Sequence, residues 1–197
     1  MANNMSTLAC EALTARPDDL RLSAPYTAGK LGMRCTNLTL DGKHLSLKLA
    51  GDMDSLTIPF EPSVFTGNGD EARKNLVLNV PENVMQTIAA IEDSCRQQLG
   101  EYVPNIEAIW CSSIKPSDKF GSSLRAKINV AGERVCYFYE ASDAPTSAPE
   151  TWKQLKCNAV VRVRGTYCQK TSVGLLLDIT HLQYANAEPE GPDIFPF

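Results

Sequence analysis

The sequence predicts a mainly β fold, a small barrel interrupted by a single α-helix at about 81–99. Three observations lead there. Short runs in which apolar and polar residues alternate recur along the chain, a period that puts one side of each strand in a core and the other in water. Apolar residues fall at helical three- and four-residue spacing in one stretch only. Turn-forming residues, above all Asp41-Gly42, separate the alternating runs. With 197 residues, 43% of them hydrophobic, the chain is long enough to bury a sizeable core as one compact unit.

The first thirty residues mix Pro17, Asp18, Asp19, Pro25 and Gly29 with scattered apolars and read as an irregular lead-in. Cys35–Leu40 and His44–Leu49 are the arms of a hairpin closed by Asp41-Gly42, a pair that tolerates the positive φ angles of a two-residue turn. A third strand, Ser55 to Phe60, ends against Pro59 and Pro62, which cannot donate to a ladder. Asn75–Val80 is a fourth. Pro81 suits the first turn of a helix, and Val84, Ile88, Ile91, Cys95 and Leu99 then carry the helical stripe to Gly100. Further strands are expected at Ile106–Cys111, Ser123–Val130, Val135–Glu140, Ala159–Tyr167 and Leu175–Tyr184, with a surface loop at 141–149. Many short strands with one inserted helix fit an OB-like β-barrel with extra N-terminal strands. The expected division is a lead-in over 1–30, the barrel over 31–184 and an acidic tail over 185–197.

No stretch approaches the roughly 18 apolar residues of a membrane helix, and Met1–Thr7 lacks a signal-peptide pattern, so the expected location is intracellular, in the cytoplasm or nucleoid of a bacterial or virus-infected cell. The seven cysteines are never closer than eleven positions. That spacing offers neither a zinc ribbon nor a Cys-x-x-Cys pair, and the thiols are expected to pack as small apolar side chains, with no metal and no cofactor. The net charge of −4 is unevenly spread. Residues 1–110 carry a balance of −5 and residues 111–184 one of +4, while 185–197 hold three acids and no base. Positive charge is concentrated in the second half, where a polyanion would bind.

Within that half, Leu124, Ala126 and Ile128 alternate with Arg125, Lys127 and Asn129, so one side of the strand is core and the other basic. Arg162 and Arg164 project together in the same way, with Tyr167 and Lys170 following at or past the strand end. Two such strands side by side would lay four cations on one barrel face. A single nucleic-acid strand needs such a basic groove for its phosphates and aromatic faces for its bases, at roughly 1–3 kcal/mol per stacked base. Lys115, Lys119 and Phe120 lie nearby, near Trp110. Tyr137 and Tyr139 share one side of a strand whose other side carries Phe138, and Trp152 beside Lys153 follows the Pro-rich loop and is expected to be exposed. For any one aromatic, core packing and base stacking both remain open, and a basic strand face can equally be a solvated one.

After Lys170 no lysine or arginine occurs for 27 residues. The terminal segment cannot fold alone, because prolines deny it a helix and its acids have no basic partners, yet it ends in Asp193, Ile194, Phe195, Pro196 and Phe197. Exposed apolar side chains at a free end suit a pocket on a partner protein, though docking on the chain's own core is the alternative. This ending resembles the acidic Asp-Ile-Pro-Phe tip of bacterial single-stranded DNA-binding proteins, with Phe195 inserted. The body, from the strand near 75 through the Val84–Leu99 helix to the closing strands with Arg162-Val163-Arg164 and Leu175–Leu177, is closer to the phage and viral members of that class. The resemblance implies an OB barrel that binds single-stranded DNA and a tail that recruits replication and recombination proteins and can occlude the groove when DNA is absent. It leaves open whether RNA also binds and whether the chain forms a homo-oligomer.

Catalysis is not expected, and no residue is assigned a catalytic role. His44 and His181 each lie three positions from an acid, Asp41 and Asp178, which in a regular strand puts the members of each pair on opposite faces. No P-loop, dinucleotide fingerprint or Gly-x-Ser-x-Gly elbow occurs. The competing reading is a β-barrel protein-interaction or structural virion module in which the tail alone acts.

Overall fold

The computed structural model describes residues 5–9, 17–28, 33–49, 56–64, 72–116, 121–132 and 135–185. In chain order the strands are β1 (Met5–Ala9), β2 (Leu20–Leu22), β3 (Tyr26–Ala28), β4 (Met33–Leu40), β5 (Lys43–Leu49), β6 (Thr57–Ile58), β7 (Ser63–Val64) and β8 (Arg73–Asn79). Helices α1 (Glu82–Leu99) and α2 (Ile106–Ile109) follow. The chain then continues through β9 (Ile114–Lys115), β10 (Ser123–Asn129), β11 (Tyr137–Glu140), β12 (Pro145–Thr146), β13 (Leu155–Cys168) and β14 (Val173–Ala185).

The long β13–β14 hairpin organises the sheet. β14 pairs in parallel with β10, β10 antiparallel with β8, β8 with β6, and β6 returns to β13, closing a five-stranded barrel. The free edge of β13 is taken in turn by β6, β5 and β4. The fold is mainly β and OB-like, with extra N-terminal strands and α1 inserted between β8 and β10. Alternation along each strand supplies the core: Leu45, Leu47, Leu76, Leu78, Leu124, Ile128, Val161, Val163, Leu177 and Ile179 are all buried, each such side chain contributing roughly 2 kcal/mol through area removed from water. Val84, Ile88, Ile91 and Cys95 of α1 join the same core.

The local signals behave as their chemistry dictates. Asp41 and Gly42 take φ of 50° and 73°, the pair of positive angles a tight hairpin turn requires. Pro81 sits at the N-cap rather than inside the first turn, its carbonyl accepting from the Met85 N–H at 3.1 Å. Cys35, Cys95, Cys136 and Cys157 are buried. Among the described residues, no helix is long and apolar enough to cross a membrane.

Three expectations need correction. The first thirty residues are not simply irregular: β1 pairs with β5, β2 and β3 pair with β4, and Leu20 lies fully in the core. The strand expected over 106–111 is instead the turn of helix α2, launched by Asn105 in the left-handed region at φ 57°, and only Trp110 bridges to Val173. Trp152 is buried at 5% exposure, edge-on to Phe138 with ring centroids 5.9 Å apart.

Candidate nucleic-acid interface

Strands β8, β10, β13 and β14 together contain seven lysines and arginines and one acid, Asp178. Their inward positions are the buried apolar residues, so the alternation drives most of this charge outward. Register then decides which charges meet. Asp178 lies opposite Arg162 on β13 and opposite Lys127 on β10. Lys127 in turn lies opposite Asn75, and Asn129 opposite Arg73, on β8. Arg125, Lys127, Arg73, Arg162 and Arg164 therefore gather around one carboxylate.

That carboxylate is divided between two guanidiniums. Arg73 Nη2 donates to Asp178 Oδ1 at 2.9 Å and Arg164 Nη1 to Oδ2 at 3.2 Å. Lys127 Nζ donates to Asn75 Oδ1. Burial, followed by the neighbouring charges of Arg73 and Arg125, lowers the Lys127 ammonium to about 8, with Asp178 opposing the fall. Arg162 keeps a buried Nε with no hydrogen-bond partner among the described residues. The patch is thus crowded with positive charge that its single acid does not neutralise.

Arg164 reaches Asp178 because the strand is bulged. The β13–β14 register slips between Val163 and Gly165, leaving Arg164 as the extra residue and re-aiming its side chain. Gly165 adopts φ 143°, and a Cβ placed there would lie 1.9 Å from the Thr36 carbonyl oxygen of β4. Only glycine allows β4 to cross so close to β13.

A second slip, between Val160 and Val161, changes the face on which His181 emerges. Thr180 is the extra residue on β14, so His181 points outward with Asp178 instead of lying on the opposite face, as regular spacing predicts. The row holding His181 and Val160 is the next outward row after that of Asp178 and Arg162, about 7 Å along the strand. There the parallel strand β11 adds two tyrosines. The rings of Tyr137 and His181 stack at 5.2 Å and 28°, and those of Tyr139 and His181 at 6.2 Å and 10°. Burial lowers the His181 pKa, which favours the neutral ring, and Thr180 Oγ1 lies 3.0 Å from its Nδ1. Tyr137 is 60% exposed, leaving an aromatic surface open beside the cationic patch.

Of the sequence candidates, Arg125, Lys127, Arg162, Arg164, Tyr137 and Tyr139 come together here. Exposed Lys115 lies on β9 opposite Ser123, on the same side as Arg125. Trp152 drops out as a stacking surface because Phe138 and the core cover it. Lys153 and Lys170 are exposed at opposite ends of β13, away from the patch at its middle. Tyr167 lies beyond the bulge, with Cys111 and Ser172 beside its phenol, and burial pushes it up to about 12. Lys119, Phe120 and the tail from Asp193 through Ile194, Phe195 and Pro196 to Phe197 lie outside the described residues.

Arg73, Asn75, Asp178 and His181 join the site without having been assigned to it from the sequence, which placed Asp178 and His181 on opposite faces. Arg73 was legible in principle, since it continues the Asn75, Val77 alternation two residues back. His181 was not, because bulges leave no mark in a period-two pattern.

No protein-family model and no curated protein matches this sequence. Among solved structures, the fold is similar to that of a single-stranded DNA-binding protein encoded by bacteriophage T7, with a TM-score of 0.50 at 10% identity, covering 76% of this chain and 90% of that one. A single-stranded DNA-binding protein from bacteriophage Enc34, solved in complex with ssDNA, gives a TM-score of 0.45 at 12% identity, covering 88% of this chain and 99% of that one. At 10% identity the T7 likeness is one of fold.

Proposed function

We propose that this chain binds single-stranded DNA along the outward side of β10, β14 and β13, without doing chemistry on it. The observation that carries the reading is the adjacency of five cations to the exposed Tyr137 ring on consecutive rows of one sheet. Phosphates would take Arg73, Arg125, Lys127, Arg162 and Arg164, and bases would stack on Tyr137 with His181 and Tyr139 behind it. The T7 protein of similar fold is described as binding single-stranded DNA, which agrees with this reading. Five phosphate contacts correspond to a log–log salt slope of roughly −3 to −4. The test is a fluorescence titration of the full chain with oligo(dT) at about 50 mM salt, repeated with duplex of equal length. Tighter binding of the single strand is expected. No binding contradicts the proposal, and equal affinity for duplex reduces the protein to a general polyanion binder.

The wider role is coating single strands in replication, recombination and repair, with Asp193, Ile194, Phe195, Pro196 and Phe197 recruiting partner proteins. Deleting residues 188–197 is expected to raise oligo(dT) affinity, by removing acids that compete for the patch, and to abolish partner capture. Unchanged affinity would mean that the tail does not reach the patch.

A further inference from the structure

Asp178 is out of place on a surface meant for phosphates. It is the one acidic residue of four strands and stands at the centre of their cations, not at the rim. Its neighbours across both strand pairings are Arg162 and Lys127. Each carboxylate oxygen takes one guanidinium N–H, from Arg73 at 2.9 Å and from Arg164 at 3.2 Å. All three side chains stay within reach of solvent, at 30%, 35% and 22% exposure for Arg73, Arg164 and Asp178. Two oxygens on one negatively charged centre, each facing a guanidinium, is also what a phosphodiester offers with its two non-bridging oxygens.

We propose that Asp178 is a built-in competitor for the DNA phosphate, holding Arg73 and Arg164 in the free protein and releasing them to the backbone when a strand binds. The proposal rests on the single-stranded DNA reading and adds a control on its strength. In the free protein the carboxylate relieves repulsion among Arg73, Arg125, Lys127, Arg162 and Arg164. Once a phosphate arrives, the same carboxylate repels it. Asp178 therefore acts with opposite sign on the stability of the free chain and on DNA affinity. A residue with a merely structural role would weaken both when removed, and a direct DNA contact would weaken binding alone.

The experiment compares wild type with Asp178→Asn in the full chain, by thermal unfolding with and without oligo(dT) and by oligo(dT) titration across salt. The variant is expected to melt lower when free and to bind the oligonucleotide roughly three- to ten-fold more tightly. Its salt slope should be steeper by about one phosphate contact, and the melting gap to wild type should narrow once oligo(dT) is added. Wild type that binds while the variant binds equally or more weakly overturns the exchange and leaves the DNA reading standing. Wild type that binds nothing overturns the DNA reading, and the exchange with it. Should Asp178→Asn fail to fold, the side-chain carboxyl 13C resonance of Asp178 in the wild-type protein decides. The exchange requires that resonance to move on saturation with oligo(dT), and an unmoved resonance overturns it.

Discussion

The β4–β5 and β13–β14 hairpins are written in the same alternating pattern and do different work. Both bury one side: Leu38, Leu40, Leu45 and Leu47 in the first, Val161, Val163, Leu177 and Ile179 in the second. They part company on the other side. In β4–β5 that side is buried too, at Cys35 and Ser46, and Thr36, on the Leu38 side, shares a 2.8 Å hydroxyl contact with Thr166 of β13. In β13–β14 the outward positions hold Arg162, Arg164, Asp178 and His181, half-exposed and charged or aromatic. The first hairpin is a brace and the second a working surface, and they meet at Gly165.

That meeting point gives the largest expected effect. Gly165→Ala forces a Cβ onto the Thr36 carbonyl at a backbone angle unsuited to alanine, and should cost about 3 kcal/mol or more in urea unfolding. A near-neutral result would mean that the brace is not needed to hold the bulge. Next in size, charge reversal of Arg162 and Arg164 together should weaken oligo(dT) binding on the order of 100-fold. Lys43→Glu, at the exposed start of β5 beside the hairpin turn, should change binding less than about two-fold. Similar losses from both would erase the distinction between the hairpins.

Tyr137→Ala should lower oligo(dT) affinity by about ten-fold, one stacked base, while leaving the unfolding midpoint nearly unchanged because the ring is exposed. The smallest effect is on pH dependence. The Lys127 ammonium sits at about 8 in the free protein, so it is charged below that pH and neutral above it. A bound phosphate favours the charged form, so binding above pH 8 takes up a proton and affinity falls as pH rises. Below pH 8 the dependence should be flat. Lys127→Arg should remove the fall, because arginine stays protonated throughout.

The parts legible in the sequence were those set by near neighbours. The Asp41-Gly42 turn, the Val84–Leu99 stripe and the split of Leu124, Ala126 and Ile128 from Arg125 and Lys127 depend on residues within a turn or two of each other. What escaped depends on residues far apart. Trp152 reads as exposed in its polar segment, yet Phe138 meets its ring and the Glu61 carboxylate accepts its backbone N–H at 2.9 Å. Ile106, Ala108 and Trp110 alternate like a strand, but four residues are too few to separate that period from one helical turn. Leu20 enters the core because β2 finds β4, which nothing near Leu20 announces. The bulges at Thr180 and Arg164 bring His181 and Arg164 to the site, and the second arises where β13 passes from β5 to β4.

The central claim is that the outward side of β10, β14 and β13, with Tyr137 of β11 beside it, is where the strand lies. Ultraviolet crosslinking of oligo(dT) to the full chain, followed by tryptic mapping, tests it directly. The account predicts crosslinked nucleotide on the 135–153 peptide, at Tyr137. Crosslinks confined to residues 1–64, with Tyr137 unmodified, would contradict it.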